Sequence, residues 1–95
     1  MKKVKAESLQ HARQQIDAID TALIELIATR QFYVDQTVRF KKPETDLQSP
    51  ERMSQVLQNV RQQASSQGLD ADLVERLYRE MFQHFVQREL KEFRP

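Results

Sequence analysis

The 95-residue sequence contains no cysteine, one glycine, three prolines and two histidines. Without cysteine the chain has no disulfide, no thiolate zinc site, no iron–sulfur cluster and no cysteine nucleophile. A single glycine is too few for a glycine-rich phosphate loop, and two histidines argue against a polyhistidine metal centre. No apolar run approaches the roughly 18 residues of a transmembrane helix. These absences favour a helical protein that binds no metal.

Charge is nearly balanced, since 15 Lys and Arg residues face 14 Asp and Glu residues. A dedicated nucleic-acid-binding domain would usually be plainly basic, so we expect no nucleic-acid partner and no membrane partner. The basic start of the chain is not followed by an apolar signal core. We therefore expect a cytoplasmic protein with one domain over residues 1–95, of which residues 1–7 form a flexible N-terminus.

Apolar residues at steps of three and four predict three helices, and the few helix-breaking residues separate them. Pro43 ends the first helix, Ser49 and Pro50 suit the start of the second, and Gly68 separates the second from the third. The predicted boundaries are about Ser8 to Phe40, Ser49 to Ser66 and Asp70 to Phe93. The fold class predicted is all-α, with a long first helix.

The first helix is too long for the domain that one chain could form. Its predicted length is about 48 Å, whereas a compact domain of this size is about 30 Å across. The two shorter helices cannot cover its whole apolar stripe, so we expect a second copy of the chain to lie antiparallel to it. The alternative is a monomeric three-helix bundle whose first helix is kinked.

Charged residues interrupt the apolar stripe of the first helix. Arg30, Val34, Val38 and Lys41 form one row, because eleven helical steps return to within about 20° of the same face. Two cations at the ends of a short apolar row suggest a clamp for a ligand with two anionic groups. Arg13 lies about 25 Å from Arg30 along the axis, so it reaches the same ligand only from an antiparallel second chain. Alternatively, these are ordinary surface cations.

Two glutamates and one histidine are further candidates. Glu89 shares a face of the third helix with Tyr78, Phe82, Phe85 and Phe93, so burial would raise its pKa and let the neutral acid donate a hydrogen bond. As an end-of-helix residue it could equally pair with Arg88, Lys91 or Lys42. Glu51 stands in the first turn of the second helix, where a glutamate also favours the helix dipole. His84 is interpreted as a packed or surface residue.

The ordered set of these residues resembles the all-helical AroQ-class chorismate mutases. Within that class it is most similar to the isochorismate-pyruvate lyases of salicylate biosynthesis, over about residues 8 to 93. The separations of 17 residues from Arg13 to Arg30 and 11 from Arg30 to Lys41 also match. The matching segments are residues 12–20, Arg30, Tyr33-Val34, Arg39-Phe40-Lys41, Pro50-Glu51-Arg52, residues 68–71 and Leu90-Lys91.

The resemblance implies an intertwined homodimer with two active sites shared between chains and no cofactor. It implies that Arg30 binds one substrate carboxylate and that Arg13 of the other chain binds the second. Lys41 would contact a carboxylate and the ether oxygen of the breaking bond, and Glu89 would lie beside that oxygen. Glu51 would accept a hydrogen bond from the ring hydroxyl. Val34 and Phe85 would line the apolar wall.

The resemblance implies a chorismate mutase, which rearranges chorismate to prephenate. An isochorismate-pyruvate lyase, giving salicylate and pyruvate, is the alternative. The short segment between Lys41 and Glu51 and the aromatic Phe85 favour the lyase, whereas Glu89 matches a subset of mutases. A third hypothesis, from another class, is a non-catalytic helical dimer that binds an anionic ligand or a partner protein.

Overall fold

The computed structural model describes residues 2–40 and 49–93 of the chain. In this part of the chain every regular element is helical, which confirms the all-α class. None of the described helices has an apolar stretch long enough to cross a membrane. The elements are α1 (Leu9–Val38), α2 (Pro50–Ser66), α3 (Ala71–Arg88) and a π-helical turn (Glu89–Phe93).

Each α-helix begins at a side chain that caps it. The first backbone N–H groups of a helix have no intrahelical acceptor, and a serine or aspartate oxygen just before the helix supplies one. Pro50 occupies the first turn of α2, where its missing N–H costs nothing. The predicted helix starts are therefore confirmed. The caps are Ser8 on the N–H of His11 (3.0 Å), Ser49 on that of Arg52 (3.3 Å) and Asp70 on that of Asp72 (2.8 Å).

Gly68 ends α2 in a left-handed conformation, with φ of 76°. The N–H of Leu69 donates to the carbonyl of Ala64 at 2.8 Å, and the N–H of Gly68 donates to that of Ser65 at 3.1 Å. This pair of bonds is the Schellman arrangement, which satisfies carbonyls left over at a helix end. The predicted role of Gly68 as the break between two helices is confirmed.

The chain divides into two compact units, Met1–Lys41 and Lys42–Pro95. The first unit contains α1, in which no residue is buried. The single-domain organisation of residues 1–95 stays a prediction. The large apolar side chains that α1 exposes are Leu9, Ile16, Ile19, Leu23, Ile24, Leu26, Ile27, Phe32 and Tyr33.

The second unit is a hairpin of α2 and α3 with its own core. Leu57 and Ala64 of α2 are buried, as are Phe82 and Phe85 of α3. The spacing of seven residues on α2 and three on α3 places each pair on one helical face, and the two faces meet. Burying a leucine or phenylalanine side chain contributes about 1.5–3 kcal/mol, so these contacts hold the hairpin together.

The end of the hairpin differs from the sequence-based expectation of a single α-helix up to Phe93. α3 ends at Arg88, and Glu89–Phe93 continues as a π-helical turn. The N–H of Glu89 is shared between the carbonyls of Phe85 and Val86 at the change of geometry. A hydrophobic pattern with steps of three and four does not distinguish this wider turn from α-helix, which explains the difference.

Candidate active site

Glu89 is the buried charged residue of the described chain, with 1% of its surface exposed. It follows Phe85 by one helical turn, and both lie on the buried face of α3. Within residues 2–40 and 49–93 its Oε2 atom accepts no hydrogen bond, and Glu89 takes part in an interaction within the chain. Taking a carboxyl group out of water is costly unless an interaction compensates for it, so its burial makes Glu89 a candidate functional residue.

The aromatic face predicted around Glu89 is present in the structure. Phe82 and Phe85 are buried and Tyr78 is half-buried. The side chain of Phe93, the last predicted member, lies outside the described residues. His84 is exposed, in keeping with its interpretation as a packed or surface residue. The structure therefore places the Glu89 carboxyl on the buried, aromatic face of the hairpin, as the sequence predicted.

Glu51 is exposed in the first turn of α2, directly after the capping Ser49 and Pro50. Because α2 runs towards the Gly68 turn and α3 runs away from it, Glu51 and Glu89 lie towards the same open end of the hairpin. The fold thus carries both candidate carboxylates away from the turn. Whether Glu51 serves the helix dipole or a ligand hydroxyl stays a prediction.

The candidate cations lie on α1, in the other unit. Arg30, Val34 and Val38 are half-buried, whereas Arg13 is exposed. Their spacing of four residues places Arg30, Val34 and Val38 along one side of the helix. Arg30 also takes part in an interaction within the chain. Lys41, the fourth member of the row, and the segment 42–48 lie outside the described residues.

A charged cluster near the Gly68 turn was missed by sequence reasoning. Nη1 of Arg61 on α2 donates to Asp72 at 2.8 Å and to Glu75 at 2.9 Å on α3, and Nε of Arg79 donates to Glu75 at 2.7 Å. The hydrogen bond from Arg79 has the larger effect and that from Arg61 the next, and together they hold the pKa of the Glu75 carboxyl below its ordinary range. Arg61 and Glu75 stand seven residues before and after Gly68, a symmetry that could have indicated the pair.

A cleft of about 260 Å³ opens between α2 and α3 beside this cluster. None of the candidate substrate residues lines it. Among the described residues, no group of three or more histidine, aspartate or glutamate side chains is arranged to hold a metal ion. The residues that line the cleft are Pro50, Met53, Ser54, Leu57, Gln58, Arg61, Glu75 and Arg79.

Comparison with known proteins adds an independent finding. The family described as chorismate mutase type II matches residues 12–90. The isochorismate pyruvate lyase of Pseudomonas aeruginosa is 31% identical over 86 residues, which make up 90% of this chain and 85% of that protein. The T-protein of Haemophilus influenzae is 36% identical over 74 residues, or 77% of this chain and 20% of that protein. The chain thus spans about a fifth of the T-protein and most of the lyase.

Proposed function

This chain belongs to the chorismate mutase type II family, and from that premise we propose that it rearranges chorismate to prephenate. Family membership supports an enzyme of the chorismate mutase or isochorismate-pyruvate lyase type. The observation that carries the mutase proposal is the buried carboxyl of Glu89, 1% exposed and preceded by Phe85 on the same face. Such a carboxyl can donate a hydrogen bond to an oxygen that gains negative charge.

The rearrangement is pericyclic, so it needs neither a nucleophile nor a cofactor. The ether C–O bond breaks while a C–C bond forms within the same molecule, and negative charge develops on the ether oxygen. A donor already in place for that oxygen stabilises the transition state more than the ground state. We expect burial to raise the pKa of Glu89, so that it carries the required proton.

Arginine and lysine side chains of the first 41 residues would bind the two carboxylates of chorismate. Arg30 would hold one carboxylate, and Lys41 would contact a carboxylate and the ether oxygen. Val34 and Phe85 would form the apolar wall, and Glu51 would accept a hydrogen bond from the ring hydroxyl. Holding both ends of the substrate in the reactive conformation removes much of the entropic barrier of the reaction.

Arg13 would bind the second carboxylate from another copy of the chain. On one helix Arg13 and Arg30 are about 25 Å apart, which is farther than a single chorismate extends. An antiparallel second α1 would bring the partner's arginine to the site and would cover apolar side chains that α1 exposes. We therefore propose a homodimer with two shared active sites, and we expect it in the cytoplasm.

A second candidate is the isochorismate-pyruvate lyase. The observation that favours it is the similarity to the Pseudomonas aeruginosa lyase over 85% of that protein. The same residues would bind isochorismate, whose ether C–O bond breaks as a ring hydrogen moves to the enolpyruvyl methylene. The products are salicylate and pyruvate. A hydrogen bond to the ether oxygen would assist this reaction as well.

Product identification separates these functions. The purified protein is incubated with chorismate and, separately, with isochorismate, and prephenate, salicylate and pyruvate are each quantified. Prephenate from chorismate at a higher kcat/KM than salicylate from isochorismate supports the mutase. The opposite ranking supports the lyase. Turnover of neither substrate by a folded protein would overturn both and leave the non-catalytic binding dimer.

A further inference from the structure

None of the proposed substrate residues of the hairpin, Glu51, Phe85 and Glu89, lines the cleft between α2 and α3. Its lining combines apolar and polar side chains. Met53 and Leu57 of α2 supply apolar surface, while Arg61 and Arg79 supply two guanidinium groups. The other polar lining residues are Ser54, Gln58 and Glu75, so the cleft offers apolar surface beside several hydrogen-bonding groups, which together can hold and orient a small molecule.

Glu75 fixes the orientation of both guanidinium groups. Its Oε1 accepts from Nη1 of Arg61 at 2.9 Å, and its Oε2 accepts from Nε of Arg79 at 2.7 Å. A guanidinium has five N–H donors, and these bonds, with the one to Asp72, engage only Nη1 of Arg61 and Nε of Arg79 within the described chain. Donors on both arginines therefore remain available, in positions held by a shared carboxylate.

The size of the cleft limits what it can hold. Its 260 Å³ is about nine times the roughly 30 Å³ that one water occupies in the liquid. This volume suits a molecule of about ten non-hydrogen atoms and lies just below the usual range of about 300–1,000 Å³ for drug-sized ligands. Arg61, Arg79, Asp72 and Glu75 together carry no net charge, so an anion would be held by directed hydrogen bonds.

We propose that this cleft is a second binding site, for a small organic acid with one carboxylate and one apolar group. The carboxylate binds between the remaining donors of Arg61 and Arg79, and the apolar group lies on Met53 and Leu57. Planar guanidinium groups match the geometry of a carboxylate and favour it over a neutral amide. The cleft reaches Pro50, the residue next to Glu51 in the chain, so an occupant lies close to the start of α2.

Phenylacetate is a suitable probe, because it has ten non-hydrogen atoms, one carboxylate and one apolar ring. Its binding is followed by amide and arginine Nε chemical shifts of the labelled protein during titration. The expected dissociation constant is about 1 mM or tighter, with shifts centred on the cleft residues. Phenylacetamide has the same shape without the charge, and we expect at least about tenfold weaker binding from it.

Variants locate the bound probe. Arg79→Ala is expected to weaken phenylacetate binding at least about tenfold, because it removes a charge-assisted hydrogen bond. Arg76→Ala, an exposed arginine of the same helix outside the cleft, is the matched control and should bind normally. Circular dichroism of both variants verifies that the hairpin is folded, and Arg79→Lys, which keeps a cation without the planar fork, should bind with intermediate affinity.

Binding at the cleft and turnover at the proposed active site can be measured separately. Arg30→Ala should leave phenylacetate binding unchanged even where it abolishes turnover. The site would be overturned if phenylacetate and phenylacetamide bound equally well, or if Arg79→Ala left phenylacetate binding unchanged. It would also be overturned if Arg30→Ala abolished phenylacetate binding, or if the wild-type protein bound no phenylacetate at about 10 mM, tenfold above the expected dissociation constant. If the protein turned over neither chorismate nor isochorismate, phenylacetate binding to the cleft would still support this second site.

Discussion

The two units of this chain use their apolar residues in opposite ways. The α2–α3 hairpin encloses Leu57, Ala64, Phe82 and Phe85 within itself, whereas α1 buries none of its residues. The candidate substrate-binding residues are divided in the same manner, with Arg13 and Arg30 on α1 and Glu51 and Glu89 on the hairpin. The hairpin is therefore stabilised by apolar contacts within its own unit, whereas the large apolar side chains of α1 are exposed.

The difference in apolar burial means that the two units are stabilised in different ways. A helix of 30 residues has enough local hydrogen bonding to form, but helical stability in proteins comes mainly from packing of an apolar face. The exposed apolar residues of α1 are the surface available for that packing. Changes to the hairpin should act on stability directly, and changes to α1 should act through association and substrate binding.

The largest expected effect is a contrast between two leucines. Leu57, 7% exposed, lies in the hairpin core, while Leu26, 67% exposed, lies on α1. Leu57→Ala should lower the free energy of unfolding by about 2–5 kcal/mol, because it leaves a cavity. Urea unfolding measures this at several protein concentrations.

The matched variant Leu26→Ala sharpens the comparison. If a second copy covers α1, Leu26→Ala should raise the dissociation constant of the dimer, which analytical ultracentrifugation measures. The urea midpoint of unfolding should then depend on protein concentration. A cost for Leu57→Ala below about 1 kcal/mol would contradict the assignment of the core to the hairpin.

Arg30 tests the catalytic role of α1. Arg30→Ala should lower kcat/KM by roughly a hundred- to thousandfold, since it removes a preorganised charged donor from the substrate carboxylate. Steady-state kinetics on the substrate that the protein turns over gives the value. Arg76→Ala on α3, where the arginine is exposed, is the control and should change kcat/KM little. Full activity in Arg30→Ala would remove Arg30 from the site.

Glu89 tests the catalytic role of the hairpin. The neutral acid donates a hydrogen bond and the carboxylate repels the ether oxygen, so kcat should fall by up to about tenfold per pH unit above the pKa of Glu89. Glu89→Gln keeps a donor that does not titrate, and its pH profile should be flat over the same range. The two profiles are compared at saturating substrate. Identical profiles would rule out this role for Glu89.

The smallest effect concerns the charged cluster of the hairpin. Because the pKa of Glu75 is lowered in the folded protein, its bonds to Arg79 and Arg61 stabilise the hairpin above the unfolded pKa. That stability is lost as the pH falls through the lowered pKa and the carboxyl becomes protonated. Thermal unfolding from neutral to acidic pH should therefore show a weaker acid dependence in Glu75→Gln than in the wild type.

Glu80→Gln, an exposed glutamate on the same helix, is the control for this pH dependence. The size of the effect is modest, since exposed ion pairs are screened by water and salt. An acid dependence that is the same in both variants would show that the cluster does not contribute to stability.

The helix starts and the turn at Gly68 were predictable because capping and turn residues act locally on the backbone. Ser8, Ser49, Asp70 and Gly68 act on backbone groups within a few residues, so their identity indicates where the three α-helices begin and where α2 ends. The π-helical turn at Glu89–Phe93 was not predictable, because α and π turns present nearly the same apolar pattern over one turn.

The candidate site was predictable only in part. The aromatic face of α3 indicated where Glu89 would be enclosed, and the structure buries it there. The cluster of Arg61, Glu75 and Arg79 depends on how α2 and α3 are rotated against each other across the turn. That rotation is fixed by side-chain packing, which a periodicity of apolar residues does not specify.

The order of the two units along the chain has a consequence for translation. Of the two units, α1 is synthesised before the hairpin, and at about 5–20 residues per second the 50 residues from the end of α1 at Val38 to the end of α3 at Arg88 require roughly 3 to 10 s. During this interval the nascent polypeptide presents an isoleucine- and leucine-rich helix before the hairpin has been synthesised. A chaperone, or another nascent copy on the same messenger RNA, would therefore meet α1 before the hairpin.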